Sequence, residues 1–185
     1  MKALKIIGII LLALILIGGV VVSMQPSQGH VEKSIVINAS PAAVYRELNS
    51  FKSFQQWAPW AKMDPNAKFT FEGPESGPGA KLIWEGEKIG KGSQWIEESV
   101  ENQSIKCALA FEGVDGKSHA AFFLSPEGNG TKLVWTYDGE NNGLSGKAMW
   151  MVMGSMLDGQ YEQGLNDVKA FIESQPAPAD SVNMN

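Results

Sequence analysis

The chain opens with a long apolar run and then changes to short segments of mixed polarity. Ile6 to Val22 contains 17 consecutive apolar or glycine residues, preceded by Lys2 and Lys5. A helix from Ile6 to Met24 would extend about 28 Å, close to the thickness of the hydrocarbon core of a bilayer. We therefore expect residues 1–24 to form one N-terminal transmembrane helix or signal anchor, with residues 6–24 in contact with the membrane.

The charges around this run predict its orientation. Lysines precede the run and none follows it directly, so the positive-inside rule predicts a cytoplasmic N-terminus and a domain outside the cytoplasm. A cleaved signal peptide is the alternative, with Val21-Val22-Ser23 as a weak cleavage site, although signal peptides usually have a shorter apolar core of about 7–15 residues. Residues 25–30 are polar, with one proline and one glycine, and are expected to form a linker.

After the linker, the pattern predicts one strand followed by two short helices. Val31–Asn38 has a β-branched centre that is typical of a strand. Ser40 is a suitable N-cap, and Pro41 fits the first position of the helix that follows. Ser50 is predicted to cap a second helix, which Pro59 ends.

The next part of the chain alternates between apolar and polar positions and predicts further strands. These strands are expected at 69–71, 82–84, 94–100, 105–112, 119–124 and 131–139, with a turn at Gly90–Gly92. Short connections of this kind join antiparallel neighbours. Lys147–Ser174 carries apolar residues at helical spacing and predicts one long helix. Residues 176–185 are expected to be a disordered tail.

This order of elements resembles the SRPBCC superfamily (START / polyketide cyclase-like, helix-grip). The motifs that carry the resemblance are Asn38-Ala39-Ser40-Pro41 with Val44, Phe54-Gln55-Gln56-Trp57 with Pro59-Trp60, Gly77-Pro78-Gly79 with Trp84, Gly90-Lys91-Gly92, and Gly130-Thr131 with Val134-Trp135. The resemblance covers residues 31–175. It implies an α+β domain in which a curved antiparallel sheet of about six to seven strands surrounds the long C-terminal helix. The predicted location of the chain is the cell inner membrane, as a single-pass protein.

Composition and charge exclude several classes of function. The net charge is −5 and Arg46 is the only arginine, which argues against nucleic-acid binding and against docking on anionic lipid headgroups. Cys107 is the only cysteine, so no intrachain disulfide can form, and it is expected to be a small core residue. With His30 and His119 it makes no closely spaced metal-ligand set, so neither a metal nor a cofactor is expected.

Aromatic and methionine side chains supply the candidate binding site. The candidates for a ligand cavity are Trp57, Trp60, Trp84, Trp95, Phe122, Trp135, Met149, Met153 and Met156, and Trp150 belongs to the same aromatic set. Binding pockets are mostly apolar, and methionine adapts to ligands of varied shape. The alternative is that these residues only fill the core, as large side chains usually do.

The function predicted from these features is binding of a small hydrophobic or lipid-like ligand in an internal cavity of a membrane-anchored domain. Two alternatives stay open at this point. One is an enzyme of the cyclase/dehydratase type, for which the sequence provides no catalytic residue, since His119 is expected to be an exposed or satisfied strand residue. The other is a non-catalytic envelope interaction module with a filled core and an exposed apolar patch.

Overall fold

The computed structural model describes residues 2–114 and 116–175 and confirms the α+β helix-grip fold. The predicted tail at 176–185 lies outside the described residues. The elements are α1 (Lys2–Ser23), β1 (Gln28–Ile37), α2 (Pro41–Leu48), α3 (Phe51–Trp57), α4 (Pro59–Met63), β2 (Lys68–Glu72), β3 (Lys81–Gly86), β4 (Gly90–Val100), β5 (Ser104–Phe111), β6 (Ser118–Glu127), β7 (Gly130–Glu140) and α5 (Gly143–Glu173).

The seven strands form one antiparallel sheet in the order β1-β7-β6-β5-β4-β3-β2. The first strand therefore lies beside the last, and the remaining strands follow one another as hairpins. Val31, Tyr137, Ala120, Cys107 and Ile96 are paired across five neighbouring strands. Because side chains alternate between the faces of a sheet, this row lies on one face together with the residues two positions away. In β4 the register shift after Ile96 changes this order, so that Ser99 rather than Glu98 shares the face.

Helices α2 to α5 cover that inner face of the sheet. α5 packs mainly against β1, and α3 and α4 contact α5. The buried core between these layers contains Ile37, Val44, Leu48, Trp57, Ile96, Ile105, Leu133, Trp135 and Val168 among its least exposed side chains. The helices and the sheet thus enclose one continuous apolar interior.

The predicted start of α2 is confirmed, and that of α3 is only partly so. Ser40 Oγ accepts a hydrogen bond from the backbone N–H of Ala43 at 3.3 Å, with Pro41 at the first helical position. Ser50 precedes α3, but its side chain makes no capping hydrogen bond. Pro59 does follow the end of α3, yet it also begins the short helix α4, because a proline at the first turn lacks only an N–H that the helix does not use.

Several other boundaries also differ from those expected. β1 begins at Gln28 rather than Val31, because residues 28–30 pair with the end of β7. The turn between β3 and β4 lies at residues 87–89 rather than at Gly90–Gly92, and Gly90 enters β4 with a φ of +66°. α5 begins at Gly143, four residues before the predicted Lys147.

The N-terminal helix α1 is long and apolar, and its side chains from Lys5 to Ser23 are exposed or, at Val22, half-buried. Its segment Lys5–Ser23 has a mean hydropathy of 3.0 with no buried residue, so it is not a core helix. Length and composition allow it to cross a membrane, and a signal sequence would have the same properties. The end of α1 is bound to the start of α5, since Lys147 Nζ donates to the carbonyl oxygen of Ser23 at 2.8 Å.

Candidate functional site

An aromatic cluster fills the space between the sheet and α5. It consists of Phe54, Trp57, Trp60, Phe122, Trp135 and Tyr161. Trp135 lies at its centre, with its ring stacked on Tyr161 at a centroid distance of 4.0 Å and tilted over Phe122 at 5.1 Å. Trp57 and Trp60 meet Trp135 edge to face at 5.8 Å and 5.7 Å. Such edge and offset arrangements are the favoured geometries of aromatic pairs.

The sequence positions the central ring through strand alternation and a glycine. Leu133, Trp135 and Tyr137 all face the helices because they are two residues apart on β7. Gly164 of α5 leaves room for this ring, since a Cβ there would lie 2.6 Å from Trp135 Cζ3 and 3.3 Å from Pro59 Cδ. The absence of a side chain at Gly164 therefore sets how closely α5 approaches the sheet.

Two indole N–H groups inside the cluster have no hydrogen-bond acceptor among the described residues. They belong to Trp57 and Trp135, whose side chains are 1% and 2% exposed. Leaving a buried donor unsatisfied costs about 1–3 kcal/mol, so such groups are rare in cores. Trp135 Nε1 lies near the Tyr161 hydroxyl, but without the geometry of a hydrogen bond. The cluster thus holds two buried donors: in the described part of the chain the one on Trp57 has no acceptor, and the one on Trp135 has only the poorly oriented Tyr161 hydroxyl beside it.

Four of the nine sequence candidates meet in this cluster, namely Trp57, Trp60, Phe122 and Trp135. Trp84 also lies on the inner face, but it packs against Phe111 at 5.7 Å, away from the central rings. Trp95 lies apart from the aromatic cluster. Its neighbours Gln94 and Ile96 are the buried positions of β4, so Trp95 lies on the opposite face of the sheet.

The three methionine candidates lie on the first half of α5, residues 143–157, which is loosely covered. Met149 and Met156 are 36% and 45% exposed, and Met153 is half-buried. This half is held to the sheet by Trp150, whose ring stacks on Tyr137 at 6.1 Å and lies over Gly29 of β1. The methionines border the interior and do not join the aromatic cluster. Their role in ligand binding stays a prediction.

Two cluster residues were not among the sequence candidates. The sequence does contain a pattern that predicts the burial of Phe54, because Phe51, Phe54 and Trp57 repeat at intervals of three residues on one helix face. Tyr161 lies one position from the predicted methionine stripe on α5, and its burial follows from the direction in which the helix meets β7. Burial raises the pKa of its hydroxyl well above the usual value, so the phenol stays protonated.

Two surface concavities lie away from the cluster. One of about 190 Å³ lies between Phe51, Phe71 and Ala80, and another of about 450 Å³ lies between Tyr45, Arg46 and neighbouring loops. None of the nine candidates lines either concavity. Both are bordered by charged side chains and open to solvent, which is unlike a site for an apolar ligand.

The two single residues considered for chemistry, His119 and Cys107, lie on opposite faces of the sheet. His119 is exposed, with Nδ1 3.7 Å from Glu97 Oε2 on the outer face of the sheet. Cys107 is buried as expected on β5, and burial raises the pKa of its thiol to about 12. Among residues 2–114 and 116–175, no group of three or more His, Cys, Asp or Glu side chains is placed to hold a metal ion.

The buried thiol predicts a loss of stability in alkaline solution. Because the pKa of Cys107 rises from 9.0 to about 12 on folding, its contribution is complete below pH 9 and is lost as the pH approaches 12. Urea unfolding of the full chain should show the free energy of unfolding falling across this range, by at most about 1.4 kcal/mol per pH unit from this group. Cys107→Ala should show a shallower fall, and an unchanged slope would contradict the prediction. Tyrosines also titrate in this pH range. They are present in both proteins, so the difference between the two slopes is assigned to Cys107.

The sheet, the long helix and the enclosed cluster define the chain as a helix-grip domain. Similar solved structures are protein CV1439 from Chromobacterium violaceum (18% identity, TM-score 0.57, 80% of this chain and 99% of that chain), the Aha1 dimer from Colwellia psychrerythraea (16%, 0.58, 78% and 96%) and Ara h 8.0201 (15%, 0.59, 80% and 99%). At these identities the likeness shows the fold alone. No curated protein matches the chain in sequence.

A sequence-family model matches residues 28–173, almost the whole chain after α1. Its description is polyketide cyclase / dehydrase and lipid transport. The chain belongs to this family, which confirms the superfamily resemblance drawn from the sequence motifs.

Proposed function

We propose that the protein is a membrane-anchored domain that reversibly binds a small hydrophobic or lipid-like molecule between its sheet and α5. The observation that supports this proposal is the pair of unsatisfied indole N–H groups of Trp57 and Trp135 inside a mostly apolar interior, where the Tyr161 hydroxyl is the neighbouring polar group. Membership of a family described by lipid transport and cyclase chemistry is consistent with it.

The two donors narrow the chemistry of the ligand. Apolar walls stabilise a ligand by about 25 cal/mol per Å² of apolar surface removed from water, without regard to direction. An indole N–H adds a directional contact to a carbonyl, carboxylate or hydroxyl oxygen. The ligand that fits best is therefore amphipathic, with one acceptor oxygen near the centre of the aromatic cluster and a hydrocarbon part toward the first half of α5.

Entry of such a molecule requires the packed cluster to loosen. The first half of α5 is the element that could move, because its methionines are exposed or half-buried and its contacts with the interior are Trp150, which stacks on Tyr137, and Leu157 at its end. The second half is fixed by buried Leu165, Val168 and Ile172. Movement of the first half would open the interior beside Tyr137, at the end of the domain where α1 is bound.

The helix α1 would keep the domain at a membrane. In this proposal α1 remains uncleaved in the inner membrane, with the N-terminus in the cytoplasm and the domain outside it, as the lysines before the apolar run favour. Tethering at a bilayer raises the effective concentration of molecules derived from that bilayer.

Mass spectrometry of the native protein tests the proposal. The full chain would be purified in mild detergent from its own host, released from detergent in the gas phase, and compared with Trp135→Phe and Trp95→Phe. A discrete bound mass is expected on the wild type and on Trp95→Phe, whose ring lies outside the interior. Trp135→Phe removes one hydrogen-bond donor and should weaken binding by about 2- to 12-fold, equivalent to 0.5–1.5 kcal/mol.

Two results would refute the ligand proposal. The first is the absence of any bound mass in chain purified from its own host. The second is an equal amount of bound molecule on all three proteins, because lipid or detergent held by α1 alone does not respond to Trp135. Trp57→Phe serves as a second variant if Trp135→Phe fails to fold.

A second candidate function is an interaction module with a filled core. The observation that favours it is the close packing of the cluster, in which neighbouring rings lie 4.0–6.5 Å apart. In that case the two indole donors are a tolerated cost of packing, and the protein acts through its surface. Chemical crosslinking in host membranes, followed by identification of a partner at fixed stoichiometry together with a ligand-free mass, would favour this candidate.

A further inference from the structure

The outward-facing surface of α5 changes character halfway along the helix. In the first half the exposed residues on this face are apolar or small: Leu144, Ala148, Met151, Val152 and Ser155. In the second half the same face carries Glu162, Asn166, Ala170 and Glu173. These two sets define the outer face of α5. A contiguous group of exposed apolar residues marks a surface that contacts a membrane or another molecule, so the first half is suited to an apolar phase.

The charges along α5 change at the same point. Residues 143–157 contain one charged side chain, Lys147, and no acidic one, although the protein as a whole carries −5. The second half begins with Asp158, which pairs with Lys33 at 2.8 Å, and later carries Asp167, which pairs with Lys62 at 2.8 Å. The first half is thus the part of the helix that can approach a membrane surface without placing a carboxylate in it.

The position of the first half is set by α1. The two helices are in contact, and Lys147 Nζ binds the carbonyl oxygen of Ser23, the last residue of α1. Asn141, just before α5, binds Ser27 through its backbone N–H at 2.9 Å and Pro26 through its side chain at 3.3 Å. Where α1 spans a bilayer, the first half of α5 therefore lies at the level where α1 leaves the hydrocarbon.

We propose that the first half of α5 lies on the bilayer that holds α1, with its outer face inserted at the boundary of headgroups and acyl chains. This inference rests on the membrane anchoring in the proposed function. Residues 143–157 span about 22 Å, a length suited to an interfacial helix. Docking is driven by Leu144, Met151 and Val152 rather than by charge, so it does not require anionic lipid. Contact with the bilayer also places the mobile part of the proposed ligand gate against the lipid.

Site-directed labelling of the full chain in phosphatidylcholine nanodiscs tests this docking. Val152→Cys carries an environment-sensitive fluorophore, and Ala170→Cys is the matched control because it lies 18 residues, or five helical turns, further along the same face. Cys107 is buried and its thiol is protonated, so it does not compete for the label at neutral pH. Quenching is measured with iodide in the water and with nitroxide-labelled lipid.

The expected result is that the label at Val152 is quenched by the nitroxide lipid and shielded from iodide, while the label at Ala170 shows the reverse. Equal exposure of both labels to iodide overturns the inference. Shielding of Val152 from both quenchers also overturns it, because a second copy or another protein then covers the face. Resistance of the chain to carbonate extraction is measured separately, so that loss of the anchor is distinguished from loss of docking.

A substitution on the face gives a second measurement. Val152→Asn replaces an exposed apolar side chain and leaves the buried face of α5 intact, so it is expected to fold. The fluorophore is attached at Leu144→Cys for this measurement. Val152→Asn should lower the ratio of lipid-facing to water-facing fluorophore by about tenfold, the effect of losing one valine-sized apolar contact. Ala170→Asn should leave the ratio unchanged, and an equal response to both substitutions overturns the inference.

Discussion

Replacing Trp135 with alanine is expected to lower the free energy of unfolding by about 3–5 kcal/mol, the range for removing a large aromatic side chain from a core. Trp135 is 2% exposed and touches every other ring of the aromatic cluster, so no single neighbour can move to fill its space. Removal of its unsatisfied N–H offsets part of this loss, which places the expected value toward the lower end. Urea unfolding of the full chain in detergent, followed by circular dichroism, gives the measurement.

Trp95→Ala provides the control for this prediction. The same residue type is removed from the opposite face of the sheet, where Trp95 is half-buried and lies outside the cluster. Its loss should be clearly smaller than that of Trp135→Ala. Equal losses at both positions would contradict the view that the cluster is the main stabilising contact between the sheet and the helices.

Gly164→Val is expected to destabilise the domain by about 1–3 kcal/mol, the usual cost of overpacking a core. A Cβ at this position lies 2.6 Å from the ring of Trp135, which is confined by its neighbours, so α5 must move away from the sheet. The measurement is the midpoint of urea unfolding, together with amide exchange along α5. Exchange should accelerate in the helix before it does in the central strands.

The matched control is Gly159→Ala on the same helix. Nothing lies within 4 Å of a Cβ at that position, so alanine adds helix propensity without a clash. It should raise the free energy of unfolding by about 0.5–1 kcal/mol. A higher free energy of unfolding for Gly159→Ala together with a lower one for Gly164→Val would show that the spacing between α5 and the sheet, rather than the number of glycines, determines the stability. The same sign at both positions would contradict this.

The local signals were sufficient to predict the order of the main elements, and the helix-grip arrangement followed from the family resemblance that this order and its motifs support. The serine and proline at positions 40 and 41 begin α2, the alternating segments after residue 68 give the strands, and the helical periodicity after Lys147 gives α5. The predicted strand boundaries were less accurate where pairing with a neighbouring strand determines them. Gln28 to His30 have little strand propensity of their own, and β1 extends through them only because β7 is present alongside.

The candidate site could be predicted only in part, and Trp95 shows why. Trp95 and Ile96 are adjacent and both hydrophobic, so the sequence does not indicate which of them faces the helices. The choice depends on the pairing of β4 with β5, which includes a register shift between Ile96 and Glu98. Composition likewise identified the aromatic side chains, but their packing into one cluster around Trp135 depends on where α3, α4 and α5 cross the sheet.

The short connection between α1 and β1 has a mechanical consequence. Residues 24–27 can extend over at most about 14 Å, and Asn141 and Lys147 bind this segment and the end of α1. If α1 is held in a membrane as proposed, a domain connected in this way has no flexible tether and cannot swing across a compartment to a second membrane. If it handles a lipid-like molecule, it works as a stationary loading point, and any delivery over distance must be made by a partner that comes to it.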